Sequence, residues 1–554
     1  MREFYNHRDN LVSEAIDGLV AASGGRVVRF APEGHARVVL RNDWDKSKVA
    51  IVSGGGSGHE PAHAGLVGKG LLTAAVCGEI FASPSVDAVL SAIVAVTGPP
   101  GCLLVVKNYT GDRLNFGLAA EKAKSLGYNV DMMIVADDVA IPNSSRPRGI
   151  AGTVFIHKIA GDMSEHGAAL EDIVRVVSNA NGQIRSIGVA RDTCTVPGNP
   201  KEDRIGASEV EIGLGIHGEA GVEVTNFESS EALMREVSTR LMPRLDLTKR
   251  YAALFNNLGG LTGLECAVLF REFSLSDVAK HVDFTVGPLP IMTALDMPGF
   301  SISMIPLDLD YAEFLLSDVP GRIWPRFNKF VKAVSVVPPP LFEMPPSLPS
   351  RNPFVREIVE KIALTCIDME ADLNALDAKV GDGDTGSTFA AAARSVLREM
   401  ERFPFADGRA LFSTLSDLKR KSMGGSSGVL LAIFFANASE SFKRKGLWLE
   451  ALSAGLEAMQ RYGGAKVGDR TMIDALRPAL DALLEGDTVQ TAAVRARRGA
   501  DSTKSMRSAN AGRSAYLEAR TLEGNADPGA EAIALIFEAC ATLDGLTPSS
   551  PVNG

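Results

Sequence analysis

The residues with the most chemistry to offer lie in short glycine-punctuated stretches. His217 ends a run in Glu209-Val-Glu-Ile-Gly-Leu-Gly-Ile-His217-Gly-Glu-Ala-Gly221. There Val210, Ile212, Leu214 and Ile216 alternate with Glu211, Gly213 and Gly215, which predicts a strand with one packed face. Glycines on the other face let a backbone or small ligand come close, although a lone histidine is also commonly a half-buried, hydrogen-bonded one. A second histidine, His59, follows Ser53-Gly-Gly-Gly56-Ser57-Gly58. A dinucleotide fingerprint needs glycine at position 59, so this loop instead presents an imidazole and backbone amides to something small. Lys107-Asn-Tyr-Thr-Gly-Asp112 places a carboxylate able to take a proton and a lysine able to hold a hydroxyl or an incoming phosphate. Asp112 as a plain helix N-cap is the competing interpretation.

A carboxylate cluster lies further on. Asp377, Asp382 and Asp384 fall within eight residues, and three anions this close repel unless a cation sits among them. EF-hand spacing fails, because counting from Asp382 puts Gly386 at the fifth position and Ala393 where the bidentate carboxylate belongs. Short aspartates suit magnesium, which keeps waters and shares phosphate oxygens. Thr385, Gly386, Ser387 and Thr388 follow, with a helix starting at 386 whose amides face an anion. Met423-Gly-Gly-Ser426-Ser427-Gly428 precedes another helix pattern and offers amides and two hydroxyls to phosphate. Thr471 with Met472, Arg513, and Asp527-Pro528-Gly529-Ala530 are weaker signals, the last being by itself a helix start. No GxxxxGK[ST] stands near them, so any ATP is held without a P-loop.

Two architectures must position these groups. Residues 49–52, 103–106 and 132–135 are strand-like, each followed by a loop and a helix-compatible segment, the rhythm of a parallel sheet with covering helices. Ligands of such sheets collect at the carboxyl edge. From about Arg185, strands at 187–190, 210–216 and 300–305 sit among longer connections and predict a second α/β lobe. The lobes are about 1–184 and 185–333 of one domain. A proline-rich linker covers 334–353. Beyond it Val355, Ile358, Val359, Ile362, Cys366, Met369 and Leu373 recur at helical spacing, as do Phe389, Ala392, Ala393, Val396, Leu397 and Met400. This predicts an all-helical domain over 354–546 and a tail over 547–554. All eight histidines lie at or before His281, so histidine chemistry belongs to the first domain.

The chain's 554 residues, 45% apolar and 22% charged, suffice for two or three domains with full cores. A net charge of -10 argues against a sequence-independent nucleic-acid partner. Six scattered cysteines without a CxxC pair fit reduced thiols in a cytoplasm. The first residues lack an apolar signal core, and the apolar run 88–106 is broken by Gly98-Pro-Pro-Gly101, so no membrane role is expected.

Taken together the motifs resemble a known family. Gly54-Gly-Gly-Ser-Gly-His-Glu-Pro61, the 107–112 motif, Gly149-Ile-Ala-Gly-Thr-Val-Phe-Ile-His-Lys158 and Gly215-Ile-His-Gly-Glu219 look like the substrate half of dihydroxyacetone kinases. The motifs at 376–388, 424–428, 468–472 and 527–530 look like its nucleotide-binding half, in the same order. The resemblance implies an α/β substrate domain of two lobes, then an all-α helical barrel of about eight helices that binds ATP. It implies an ATP-dependent kinase of short-chain ketoses, dihydroxyacetone or a tetrulose such as erythrulose. By the same carry-over His217 holds the ketone as a covalent hemiaminal, Asp112 is the base toward the terminal hydroxyl, and His59 assists by hydrogen bonding. Gly56, Ser57, Gly58 and Lys107 match the substrate-binding stretches, Gly56 and Lys107 holding substrate oxygens. Asp377, Asp382 and Asp384 match ligands for two Mg2+ ions. Asp384 to Thr388, Ser426, Ser427, Thr471, Met472, Arg513, Asp527, Pro528 and Gly529 match nucleotide contacts. Acceptor and donor then meet across domains, and the resemblance implies a homodimer in which one chain's helical domain can serve the other.

Departures from the pattern are Ala220 where the family usually has proline, Arg191 and Asp192 where small residues are common, and Asn510 where arginine is frequent. None removes a proposed catalytic residue. Two other classes fit the same domains: a phosphoprotein-fed phosphotransferase component with retained ADP, and a non-enzymatic ligand-sensing co-regulator. The fused halves and the absence of histidine from the second argue for exchangeable ATP; His217, Asp112 and the three aspartates argue against a sensor.

Overall fold

A computed structural model describes residues 4–30, 37–141, 144, 146–337, 347–422, 425–510 and 519–543. The chain forms two compact units, 1–336 and 337–554.

The first unit carries two sheets. One contains β1 (Val27–Phe30), β2 (Val38–Arg41), β3 (Ala50–Ser57), β4 (Ala74–Ile80), β5 (Cys102–Lys107) and β6 (Val130–Val135), in the order β1-β2-β4-β3-β5-β6. Strands β4, β3, β5 and β6 run parallel, while β1 and β2 close the edge antiparallel. Side chains of a strand alternate between faces, and β5 shows what this sheet needs. Leu103 and Val105 enter one core with the helices Thr153–Glu165 and Leu170–Gln183, whereas Cys102, Leu104 and Val106 enter another with Val86–Val96 and Thr110–Ser125. A strand buried on both faces reads as a continuous apolar run, as β5 does.

The glycines of 54–56, expected in a loop, extend β3 instead. All eight of its residues are buried, and a Cβ at Gly54 would lie 2.2 Å from the Val76 carbonyl oxygen of β4. Parallel pairing with β4, whose Val76 and Cys77 lie opposite Gly54 and Gly55, keeps extended a glycine run that has little strand propensity of its own; β5 pairs with β3 as far as Ser53. The chain then passes through a short 3-10 turn into β4 rather than into a covering helix, another departure from the expected rhythm.

The second sheet begins at Arg185. It comprises β7 (Arg185–Ala190), β8 (Glu209–Ile212), β9 (Glu223–Asn226), β10 (Tyr251–Asn257), β11 (Val282–Leu289), β12 (Gly299–Pro306) and β13 (Asn328–Lys329). Their order is β13-β11-β10-β12-β7-β8-β9, with only β10 and β11 parallel. Helix Thr153–Glu165 belongs to the core shared by the two sheets, and twelve of its thirteen residues are buried, the polar His157, Lys158 and Asp162 among them. The strand expected over 210–216 ends at Ile212, because Gly213 takes φ +76° and turns the chain. Its second face is not open either: Glu211 is buried, paired with Arg204 at 2.9 Å and accepting the Gly221 amide at 2.8 Å.

The second unit is helical, with ten α-helices among the described residues, from Pro353–Asp368 to Pro528–Cys540. The 355–373 pattern divides at Met369 into Pro353–Asp368 and Glu370–Val380. Phe354, Val359, Phe412, Phe434, Leu480 and Ile536 line an apolar cavity of about 530 Å3. No helix among the described residues is long and apolar enough to cross a membrane; the 88–106 run is a helix followed by β5. None of the six cysteines forms a disulfide.

Candidate active site

His217 is delivered by a clamp. After the turn at Gly213, Leu214 and Ile216 enter the core between the sheets. Glu219, two residues beyond the histidine, accepts the His217 amide on Oε2 at 2.8 Å and the Tyr109 hydroxyl on Oε1 at 3.0 Å. Arg148 lies 3.8 Å from the same carboxylate, pairs with Asp138 at 2.6 Å and donates to the Gly213 carbonyl at 2.6 Å. A Cβ at Gly215 would collide with Glu219 Oε1, so glycine there gives the carboxylate its place. Burial, reinforced by the Glu219 charge, raises the Tyr109 phenol well above its ordinary pKa and keeps it a donor. The Tyr109 ring meets the His217 imidazole edge-on, centroids 4.2 Å apart.

His59 faces His217. Their Nε2 atoms are 3.2 Å apart, and His59 Nδ1 lies 2.8 Å from the Thr293 carbonyl oxygen. A carbonyl only accepts, so His59 carries its proton on Nδ1 and offers a lone pair from Nε2. The shared proton therefore sits on His217 Nε2. Burial and the Lys107 charge push the His217 imidazole down to about 3. Burial, then the neighbouring His217 and Lys107, hold His59 well below its usual value. Both rings are neutral near pH 7. Phe81, on the connection after β4, stacks on His59 at 5.3 Å and stands edge-on to His217 at 5.5 Å.

Lys107 and Asp112 meet at β3. Lys107 ends β5 and Asp112 lies in the first turn of Thr110–Ser125, both fully or almost fully buried. A Cβ at Gly55 would lie 2.6 Å from Lys107 Nζ and 3.3 Å from Asp112 Oδ2. The ammonium and the carboxylate thus share one glycine face at the carboxyl edge of the parallel strands. Ser83 donates a hydrogen bond to Asp112 Oδ1. The loop's other groups are more committed than expected. Ser57 donates its hydroxyl to the Gly78 carbonyl at 2.8 Å, and the Gly58 amide is taken by the Glu60 carboxylate at 3.0 Å. Gly56 packs against Phe81 and Ala82, where a Cβ would come within 2.7 Å of backbone.

In the second unit one ligand oxygen from each of Asp377, Asp382 and Asp384 lies within 4.8 Å of the others, Asp377 buried and the other two exposed. Asp377, at the end of Glu370–Val380, accepts on Oδ2 the amides of Asp384 and Thr385 and the Thr385 hydroxyl, at 3.0, 3.1 and 2.9 Å. This folds the loop so that three carboxylates converge, a donor set that fits Mg2+. The following helix starts at Thr385 rather than Gly386, and its amides are less available to an anion than expected. Asn374 of the preceding helix accepts the Ser387 amide at 3.0 Å, and the Thr388 amide makes the first intrahelical bond, to the Asp384 carbonyl at 2.9 Å. Gly386 lies tight against that helix, where a Cβ would meet the Glu370 carbonyl at 2.1 Å.

The weaker nucleotide stretches partly converge. Asp474 accepts the Gly468 and Thr471 amides at 2.6 and 2.7 Å, shaping the turn that holds Thr471 and Met472. Asp527 caps Pro528–Cys540 through the Ala530 amide at 2.8 Å, and burial raises its carboxyl to about 6. A Cβ at Gly529 would touch Met472 Cβ at 3.2 Å, so the two stretches are neighbours. Asn510 donates to Asp469 at 2.8 Å. Ser426 and Ser427 fall in the first turn of Gly425–Lys445 with their side chains outside the described residues, and Arg513 lies outside them altogether.

Residues 17–320 match the Dak1 domain model and 379–542 the DAK2 domain model. Dihydroxyacetone kinase of Citrobacter freundii is 47% identical over 97% of this chain and 98% of its own length. The chain belongs to the dihydroxyacetone kinase family. Triokinase/FMN cyclase of Homo sapiens, another match, is 38% identical over 97% of this chain and 98% of that protein. The crystal structure of the C. freundii kinase in complex with AMP-PNP and Mg2+ superposes with a TM-score of 0.78 at 45% identity, covering 98% of this chain and 99% of that one. As in that family, an α/β unit precedes a helical one. Glu219, Tyr109, Arg148 and Phe81 shape the surroundings of His217 without having been singled out from sequence. Glu219, two positions from His217, and Tyr109, inside the 107–112 motif, lay within quoted stretches, whereas Arg148 and Phe81 lay outside them.

Proposed function

We propose that this ATP-dependent kinase phosphorylates the terminal hydroxyl of a short-chain ketose, dihydroxyacetone or a tetrulose such as erythrulose, held as a hemiaminal on His217. The observation that carries this is the pair of neutral imidazoles 3.2 Å apart, with His59 pinned by Thr293 so that its lone pair faces the His217 proton. As that proton passes to His59 Nε2, the freed His217 nitrogen adds to the ketone carbon. The carbonyl π bond breaks, and its oxygen takes the proton back from His59. Glycerol, lacking an electrophilic carbon, is not captured.

Asp112 then takes the proton of the terminal hydroxyl, and Lys107 holds the hydroxyl oxygen beside it. Asp377, Asp382 and Asp384 hold two Mg2+ ions, with Thr385 to Thr388, Ser426, Ser427, Thr471, Met472, Arg513 and Asp527 to Gly529 around the nucleotide. Bound Mg-ATP supplies the phosphoryl group and the positive charge that neutralises it in transfer. The helical unit is a barrel, the protein a cytoplasmic homodimer, and one chain's helical unit can serve the partner's ketose.

The test is initial-rate ADP formation with Mg-ATP and dihydroxyacetone, D- and L-erythrulose, glyceraldehyde and glycerol, for the wild type and His217→Ala. Turnover of a ketose but not glycerol, lost in the variant, is expected. Equal turnover of glycerol, or an unaffected variant, would sink covalent capture.

A further inference from the structure

Behind the site lies a buried polar chain that the mechanism above does not use. His63 Nε2 is 2.7 Å from Lys107 Nζ, and His63 Nδ1 is 3.4 Å from Ser53 Oγ. Ser53 Oγ donates to the Val105 carbonyl at 2.7 Å and also lies 3.1 Å from His157 Nε2. His63, Ser53, His157 and Lys107 are all buried. The protons can be placed one after another. Since Val105 only accepts, the single Ser53 proton points to it, and Ser53 must accept from both histidines. His63 is therefore protonated on Nδ1, and its Nε2 lone pair receives an N–H of Lys107. His157, protonated on Nε2, keeps an Nδ1 with no partner, consistent with a ring whose role in the chain is to donate.

We propose that His63 is a positioning residue for Lys107, a neutral imidazole that fixes the direction of the lysine's remaining donors. This rests on the role given above to Lys107. An ammonium has three donors on a flexible stem. One goes into His63, and a second reaches the Gly54 carbonyl at 3.4 Å. The third is left for the oxygen of the bound ketose or the phosphoryl group. Without the His63 acceptor, only the long Gly54 bond holds Nζ away from the Asp112 carboxylate across Gly55. A direct Lys107–Asp112 pair would occupy the base and the oxygen holder together. His63 thereby keeps two opposite charges near each other yet separately available.

The two ends of the imidazole can be tested apart. In His63→Gln the side-chain amide oxygen can reach the Nε2 position and still accept from Lys107; in His63→Asn the amide reaches only the Nδ1 position and bonds Ser53. We expect His63→Asn to lower kcat on the preferred ketose by about ten- to a hundredfold, the scale of a ~1 Å misplacement of a reacting group. His63→Gln should retain most activity, with both variants melting near the same temperature. A role in packing or in the Ser53 bond predicts the reverse order, and that result would overturn the proposal. Lys107→Met supplies the second arm. If His63 acts through Lys107, His63→Asn adds no further loss in the Lys107→Met background; additive losses would refute it. Should Lys107→Met alone retain wild-type kcat, the fault lies in the role given to Lys107, and the inference falls with it. Should His63→Asn fail to fold, selective 15N-histidine NMR of the full wild-type chain decides. An unprotonated His63 Nε2 supports the proposal, and a protonated one refutes it.

Discussion

A histidine proposed to add to a carbonyl has to stay neutral and keep one orientation, and here different neighbours supply the two conditions. Burial with Lys107 nearby keeps His217 neutral, while Glu219 fixes its backbone and Tyr109 its ring. Hydrogen bonds to a carboxylate are each worth about 1.5–3 kcal/mol. Glu219→Ala removes two of them and is expected to lower kcat/KM for the ketose at least about tenfold, since 1.4 kcal/mol is a factor of ten. The melting temperature should fall as well, since the two lost bonds also hold the folded loop, so the clamp is judged by kcat/KM measured well below the transition. Steady-state kinetics beside a thermal melt tests this; unchanged kinetics would show that the loop keeps its shape without the clamp. In the helical unit Asp377 anchors the loop through Asp384 and Thr385, and in the proposed function it is a metal ligand as well. Removing Mg2+ with EDTA is expected to lower the melting temperature of the wild type through loss of a bound ligand. Asp384→Asn, which spares the Asp377 bonds, should melt at the EDTA temperature whether or not Mg2+ is present.

At the scale of elements, β3 is where fold and site are the same object. Its glycines admit the β4 backbone at Gly54 and the Lys107 and Asp112 head groups at Gly55. Gly54→Ala forces a methyl against a carbonyl inside a sheet that cannot yield on either side, and overpacking of this kind costs about 1–3 kcal/mol. Gly55→Ala is expected to act differently. The Gly55 φ of +149° and the 2.6 Å approach to Nζ strain the backbone and displace the lysine together. Activity should then fall by more than the stability loss explains, and a denaturant titration paired with kcat measures the difference.

For the whole molecule, the uneven placement of histidine has a consequence in acid. In the first unit His59, His63 and His157 are buried and His217 is half-buried, and all four are held below their ordinary pKa, His157 and His217 down to about 3. Unfolding releases each to about 6.5, so between about pH 6.5 and the folded values the unfolded chain binds more protons and stability falls with falling pH. At pH 5 the loss is about 2 kcal/mol each for His157 and His217. The helical unit has none, and its buried Asp527, raised to about 6, gains from protonation as pH falls below that value. Calorimetry at pH 7 and pH 5 should therefore show the α/β transition falling much further than the helical one. Parallel shifts would contradict the burial of those four rings.

The sequence alone determined the division of labour: alternating strand and helix signals with every histidine before 282, a proline-rich stretch, then uninterrupted helical periodicity with an acidic turn. Those features are local, set by periodicity, glycine and proline over a few residues. It also determined which side chains are candidates, because His59, Asp112, His217, Asp382 and Asp384 each stand beside glycine, and Lys107 and Asp377 fall within the same short glycine-containing motifs. Tertiary structure decided the rest. Whether 53–56 is a loop or a strand depended on two neighbouring strands, and where the 210–216 strand stops depended on one φ angle. The fate of the amides at 385–388 depended on Asn374 and Asp377 of the preceding helix. The pairings that set proton positions, His59 with Thr293 and His63 with Lys107, join residues 234 and 44 positions apart. Contacts at such separation leave no periodic trace in the chain, since packing of whole elements brings them together.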